Sequence, residues 1–151
     1  MKQKVKNISY LCVVQFSLDQ ANKDLAFIPS GAEVISLNLE IIEPLTASTT
    51  INIGLEKTQN YFLNDIKADK KGFNQSSVLL SASTNQMITA TISNPAKVLE
   101  GKEVEETKET KEATENKGKN KTTEPKPIES KTGLACLRVQ YFLRSEIDIE
   151  I

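Results

Sequence analysis

Few side chains in this sequence are spaced for chemistry. Asp65 and Asp69 stand four apart, a spacing that would suit a pair of carboxylates in acid–base work. They are interleaved with Lys67, Lys70 and Lys71, however, and that mixture reads as a solvated turn. Cys12 and Cys136 lie near opposite ends of the chain and make no C-x-x-C or metal-ligand spacing. Each sits in an apolar, strand-like run and reads as a small buried or half-buried thiol. A Cys12–Cys136 bridge would need their strands to be neighbours. The 151 residues include no His, so the commonest metal ligand and the only side chain that titrates near neutrality unperturbed are both missing. Zinc hydrolases, His-based triads and His acid–base pairs are excluded. Nor is there a G-x-S-x-G elbow, a G-x-G-x-x-G turn or a phosphate-binding loop. The expectation is a protein that is not an enzyme and uses no metal or cofactor.

Two rows of charge are the more informative spacing. Lys2, Lys4 and Lys6 recur at period two, as do Glu146, Asp148 and Glu150. On extended chain each set is a like-charge row along one face. One reading is protection of a sheet edge against aggregation. The other is that the lysine row and the acid row meet, across strands or across subunits, where opposite charges attract. These six residues are the candidate inter-subunit contacts.

The elements that would position them are β-strands. In Ile8–Leu18 the even positions Ile8, Tyr10, Cys12, Val14, Phe16 and Leu18 are all apolar, which leaves Leu11 and Val13 as apolar residues on the other face. Ala32–Ile42 alternates Ile35, Leu37, Leu39 and Ile41 with Ser36, Asn38 and Glu40. Thr49–Leu55, Ser76–Ser83, Gln86–Ser93, Leu134–Leu143 and 147–151 complete seven strand candidates, with Thr84-Asn85 as a tight hairpin between the fourth and fifth. Ile28-Pro29-Ser30-Gly31 reads as the turn that launches the second strand. Gln59–Lys67 is expected to form a turn or short helix, with Tyr61, Phe62 and Ile66 inward. No stripe of helical period is long enough for a packed helical layer. The fold class predicted is all-β: an antiparallel sandwich or jelly roll of about seven to eight strands.

Charge divides the chain. Residues 97–132 hold nine Lys and nine Glu, whereas the other 115 residues carry 21 charges in all. Apolar residues in that segment are confined to Val98, Leu99, Val104, Ala113 and Ile128, too few to offset the entropy of ordering it alone. The organisation expected is a single body, 1–96 and 133–151, with 97–132 as a low-complexity insertion. The net charge of −1 gives no overall attraction to nucleic acid or an acidic membrane. The apolar run Tyr10–Val14 is too short for a signal-peptide core, and no stretch approaches the length of a membrane helix. A protein made in a cytoplasm is expected.

A resemblance then enters through Phe27–Leu37, an "IP-x-GA-x-V" turn feeding a long alternating strand. It is extended by "TT-x-NIGL" at Thr49–Leu55, "YFLND" at Tyr61–Asp65, "MITATIS" at Met87–Ser93 and "ACLRVQYFL" at Ala135–Leu143. This pattern resembles the capsid cement, or head-decoration, proteins of tailed bacteriophages, with 97–132 outside it. The resemblance implies a β-sandwich that forms a homotrimer, sits on the outside of the capsid in the virion, and bridges neighbouring subunits of the major capsid protein. The different class to weigh against it is a tail, fibre or surface adhesin module that binds a host receptor or glycan. A metal-dependent jelly-roll oxygenase is opposed directly by the missing His.

Overall fold

The computed structural model describes residues 2–97 and 131–150, with side chains described over 8–97 and 131–143. These residues form β1 (Lys2–Ser17), β2 (Asn22–Ile28), β3 (Glu33–Glu43), β4 (Thr50–Leu55), β5 (Thr58–Lys67), β6 (Gly72–Gln75), β7 (Leu80–Ser81), β8 (Gln86–Ser93) and β9 (Leu134–Glu150). There is no helix among the described residues. The strands make two antiparallel sheets, ordered β1-β9-β3-β6 and β2-β8-β4-β5, with the two-residue β7 attached to β3. Apart from the β4–β5 hairpin and the step from β6 to β7, each connection carries the chain from one sheet to the other. That alternation is the jelly-roll form of sandwich, as the sequence pattern predicts.

Alternation in the sequence becomes two inner faces. Leu37, Leu39 and Ile41 of β3 and Leu137 and Val139 of β9 point from the first sheet into the core. Ile51 and Ile53 of β4, Ile88, Ala90 and Ile92 of β8, and Ala26 and Ile28 of β2 meet them from the second. All are almost wholly buried, and each large aliphatic contributes about 1.5–3 kcal/mol by leaving water. The launching turn forms as expected. Gly31 takes the left-handed φ of 85° that favours glycine, and its N–H donates to Ala82 O at 2.6 Å.

Several local expectations are overturned. Gln59–Lys67 is not a turn or helix but most of β5, paired with β4. Register shifts lie between Ile51 and Ile53 and between Ile53 and Leu55, so Phe62 and Leu63 are buried side by side. A bulge that buries adjacent residues imitates helical spacing. Ser76–Ser83 is not one strand, since only Leu80–Ser81 is extended against β3, and Leu79 stays 64% exposed. Thr84-Asn85 does not close a hairpin, because β7 and β8 belong to different sheets. Asn85 instead accepts the N–H of Ser30 on its side-chain Oδ1 at 2.9 Å, tying that crossing to the launching turn. β2 had no counterpart among the strand candidates. The last two candidates, Leu134–Leu143 and 147–151, are one continuous strand as far as Glu150. The predicted insertion 97–132 lies outside the described residues except for Lys97, Lys131 and Thr132.

Both ends of that segment are fixed at one place. Leu18 O accepts the N–H of Ala96 at 2.8 Å, while Leu18 N–H donates to Thr132 O at 3.1 Å and to Gly133 O at 3.4 Å. One buried residue after β1 thus holds the exit from β8 and the entry to β9. Beside it, Lys23 Nζ meets Asp19 Oδ1 at 2.6 Å and Ser17 Oγ at 2.9 Å, and Ser17 Oγ donates to Asp19 at 2.7 Å. This small network fixes the turn from β1 into β2.

Candidate interaction surface

The residues first singled out for chemistry do not assemble a reaction centre. Asp65 lies within β5, not in a turn. It adopts a left-handed φ of 51° and donates its N–H to Asn52 Oδ1 at 2.6 Å. Its neighbour Asn64 donates to Asp65 Oδ2 at 3.3 Å, so the carboxylate serves the bulge. Asp69 is in the turn after β5, where Ala68 N–H donates to Thr49 O and Leu45 N–H to Ala68 O. A cleft of about 430 Å³ between Glu43, Pro44, Lys71, Lys131 and Gly133 contains neither aspartate. Among the described residues no three His, Cys, Asp or Glu side chains are grouped to hold a metal. β1 and β9 are neighbours, yet Cys12 stands opposite Val139 and Cys136 opposite Gln15. Three residues of register separate the thiols, and both are free.

The outward face of the β1-β9-β3-β6 sheet is built differently. The register sets Val13, Arg138, Asn38 and Gln75 in one row across the four strands. The next row is Gln15, Cys136, Glu40 and Phe73. Arg138 Nη1 bridges the rows to Glu40 Oε2 at 2.6 Å, and this hydrogen bond holds the guanidinium still more firmly protonated. Cys136 is fully buried although it belongs to the outward face, in register with Glu40 at the foot of that ion pair. Asn38 Oδ1 is buried without a hydrogen-bond partner, an unmet acceptor in the middle of the face. Around this polar centre stand exposed apolar side chains: Leu11 at 64%, Val13 at 52% and Phe73 at 69%. Exposed aromatic and aliphatic side chains thus flank a fixed Arg–Glu pair on this face. Leu11 and Val13 are where the alternation predicts them. Arg138, Glu40 and Phe73 escaped the sequence because their association needs the order of β9, β3 and β6.

The same sheet carries an overhang. β3 accompanies β9 only as far as the Glu33–Phe142 pair. Beyond it, among the described residues, β9 pairs with β1 alone, and β1 is an edge strand along its whole length. Where the overhang leaves the body, Tyr10 and Tyr141 stack with centroids 5.5 Å apart and planes 17° from parallel. Burial, reinforced by Cys12 and Tyr10, pushes the Tyr141 hydroxyl up. Ile8 and Tyr10 are 42% and 46% exposed, because the second sheet does not reach them. Past a register shift between Lys6 and Ile8, the backbone sets Lys6 opposite Glu146, Lys4 opposite Asp148 and Lys2 opposite Glu150. The two predicted charge rows are therefore cross-strand partners in Cα register within one chain.

The described residues thus form a jelly-roll sandwich with a mixed apolar–ionic outer face and a two-stranded overhang. The comparisons with known proteins agree. No protein-family model matches the chain, and no curated protein matches it. Solved structures do. A chain of the acidic stable capsid structure of Helicobacter pylori bacteriophage KHP30 is 29% identical, with 100% of each chain covered and a TM-score of 0.68. A chain from the capsid of Ralstonia phage GP4 is 10% identical over 93% of this chain and 88% of that one, with a TM-score of 0.55, and shares the fold alone. The chain is thus a β-sandwich similar over its whole length to a chain of a phage capsid structure, and that likeness supports a structural virion component.

Proposed function

We propose that this protein is a capsid cement protein. It binds the outside of a phage head as a homotrimer, bridges neighbouring subunits of the major capsid protein, and stabilises the shell. The observation that carries this reading is the full-length likeness to a capsid chain joined to the outward face of the β1-β9-β3-β6 sheet. Leu11, Val13 and Phe73 supply apolar area there, and Arg138–Glu40 supplies a fixed charge pair. A lattice presents many copies of each contact, so individually weak contacts gain strength through multivalency. Placement on the capsid surface and synthesis in the host cytoplasm belong to the same proposal.

Co-sedimentation with purified heads that lack the protein tests it. The wild-type chain is expected to pellet with heads. Leu11→Ser with Phe73→Ala is expected to bind at least tenfold more weakly, while folding stability changes by no more than about 1 kcal/mol, about 0.5 for each, since both side chains are exposed. Wild-type affinity in the double variant would remove the outer face from the contact. Failure of the wild-type chain to bind heads, with retention on a glycan array, would replace the cement reading with the adhesin one.

A further inference from the structure

We propose that neighbouring copies of this protein join through the overhang, the β1 edge of one copy adding to the free β9 edge of the next. The inference rests on the homotrimer reading above and names the contact that makes it. Over residues 2–8 of β1 and 143–150 of β9 the ribbon is two strands wide among the described residues. A two-stranded ribbon is marginal in water unless a third strand or a packing surface supports it. Among the described residues both of its edges carry backbone groups with no neighbouring strand, the usual substrate for strand addition.

Charge selects which edges meet. The β1 edge carries Lys2, Lys4 and Lys6, and the β9 edge carries Glu146, Asp148 and Glu150. Two β1 edges brought together would set lysine against lysine, and two β9 edges would set acid against acid. Only β1 against β9 places opposite charges across the joint, and because both rows have period two an even shift of register still sets opposite charges together, two pairs after a shift of two and one after a shift of four. The sense of the strands agrees: β1 and β9 are already antiparallel, so a β1 added to the far side of β9 continues an antiparallel sheet. Such a contact joins unlike patches and therefore closes into a ring or runs on as a filament. Three copies close as six antiparallel strands. Val5 shares the period of the exposed Leu11 and Val13 along β1, so the apolar period runs from the body into the joint.

The discriminating experiment exchanges the two rows. A full-length chain carrying Lys2→Glu, Lys4→Glu, Lys6→Glu, Glu146→Lys, Asp148→Lys and Glu150→Lys keeps opposite charges within its own ribbon. Toward a wild-type neighbour it presents like charges. Co-expressed with a mass-tagged wild-type chain and read by native mass spectrometry, each is expected to form trimers of its own kind, with mixed trimers at less than one tenth of the statistical proportion. Statistical mixing would overturn the proposal, since rows that pair only within a chain do not sort. A wild-type chain that stays monomeric at tens of micromolar would overturn it too. Because heads are absent from the assay, failure of the cement reading, seen as no binding to heads, is distinguishable from failure of the joint.

Discussion

Replacing residues 100–130 with a four-residue Gly/Ser turn tests the division between body and insertion most directly. The hydrogen bonds of Leu18 to Ala96, Thr132 and Gly133 bring both ends of the segment to one residue, and four residues reach about 13 Å, enough to join them. If the 31 removed residues act only as a tether, shortening the loop from 31 to four spans about three doublings, each worth about 0.6 kcal/mol of closure entropy, or about 1.8 kcal/mol at most. For a body of this size that corresponds to a rise in Tm between zero and about 7 °C. Differential scanning calorimetry would measure it, with far-UV circular dichroism confirming that strand content is kept. The deletion is also expected to quicken release from heads, or to make attachment more salt-sensitive, if the Lys/Glu mixture orders against neighbours. A fall in Tm of more than a few degrees, or loss of the β signal, would show that the segment completes the core. Unchanged release would reduce it to a solvated connection.

Two further outcomes follow from local geometry. A Cβ at Gly54 would lie 2.2 Å from Thr58 O and 2.4 Å from Gln59 O, backbone atoms of the adjacent hairpin, so Gly54→Ala is expected to cost about 1–3 kcal/mol in urea unfolding, and a neutral result would mean that β5 does not sit on β4 as described. Lys23, and then Ser17, hold the Asp19 carboxyl below its ordinary range; a group depressed on folding contributes stability that is full above its unfolded pKa and is lost as pH falls through the folded one. Asp19→Asn should therefore lower stability by up to about 1 kcal/mol near neutrality and by progressively less as pH falls below the ordinary carboxylate range, and a loss that does not change with pH would mean that the network acts through shape rather than charge.

Regular strands were legible and irregular ones were not. Leu37, Leu39 and Ile41 alternate as predicted and β3 lies within one residue of its predicted span, but Ile35, read as part of the same face, is 44% exposed where the register shifts between Val34 and Ser36. β5 and β2 each contain or face a register shift, and a bulge breaks the period on which such reading depends. Adjacent Phe62 and Leu63 in one, and Leu25 to Ile28 in the other, thus carried no strand signal. Ser76–Ser83 failed differently: its Val and Leu residues looked like a strand, but Val78 and Leu79 face solvent. The charge rows were visible as periods, whereas their being opposite one another is a fact about two segments far apart in sequence. The same holds for Arg138 and Glu40, separated by 98 residues. Pairing is decided by the whole sheet, and local pattern does not contain it.

The antiparallel course of β1 and β9 has a mechanical consequence. Lys2 lies at one end of their fifteen register pairs and Leu134 at the other, about 50 Å apart at the rise of an extended strand. Tension applied between those two ends pulls the strands past each other lengthwise. Every rung of the ladder is then loaded at once, unlike the one-at-a-time rupture of a hairpin opened from its tip. If the overhang grips a neighbour while the body grips the shell, the molecule meets an outward push with its stiffest direction.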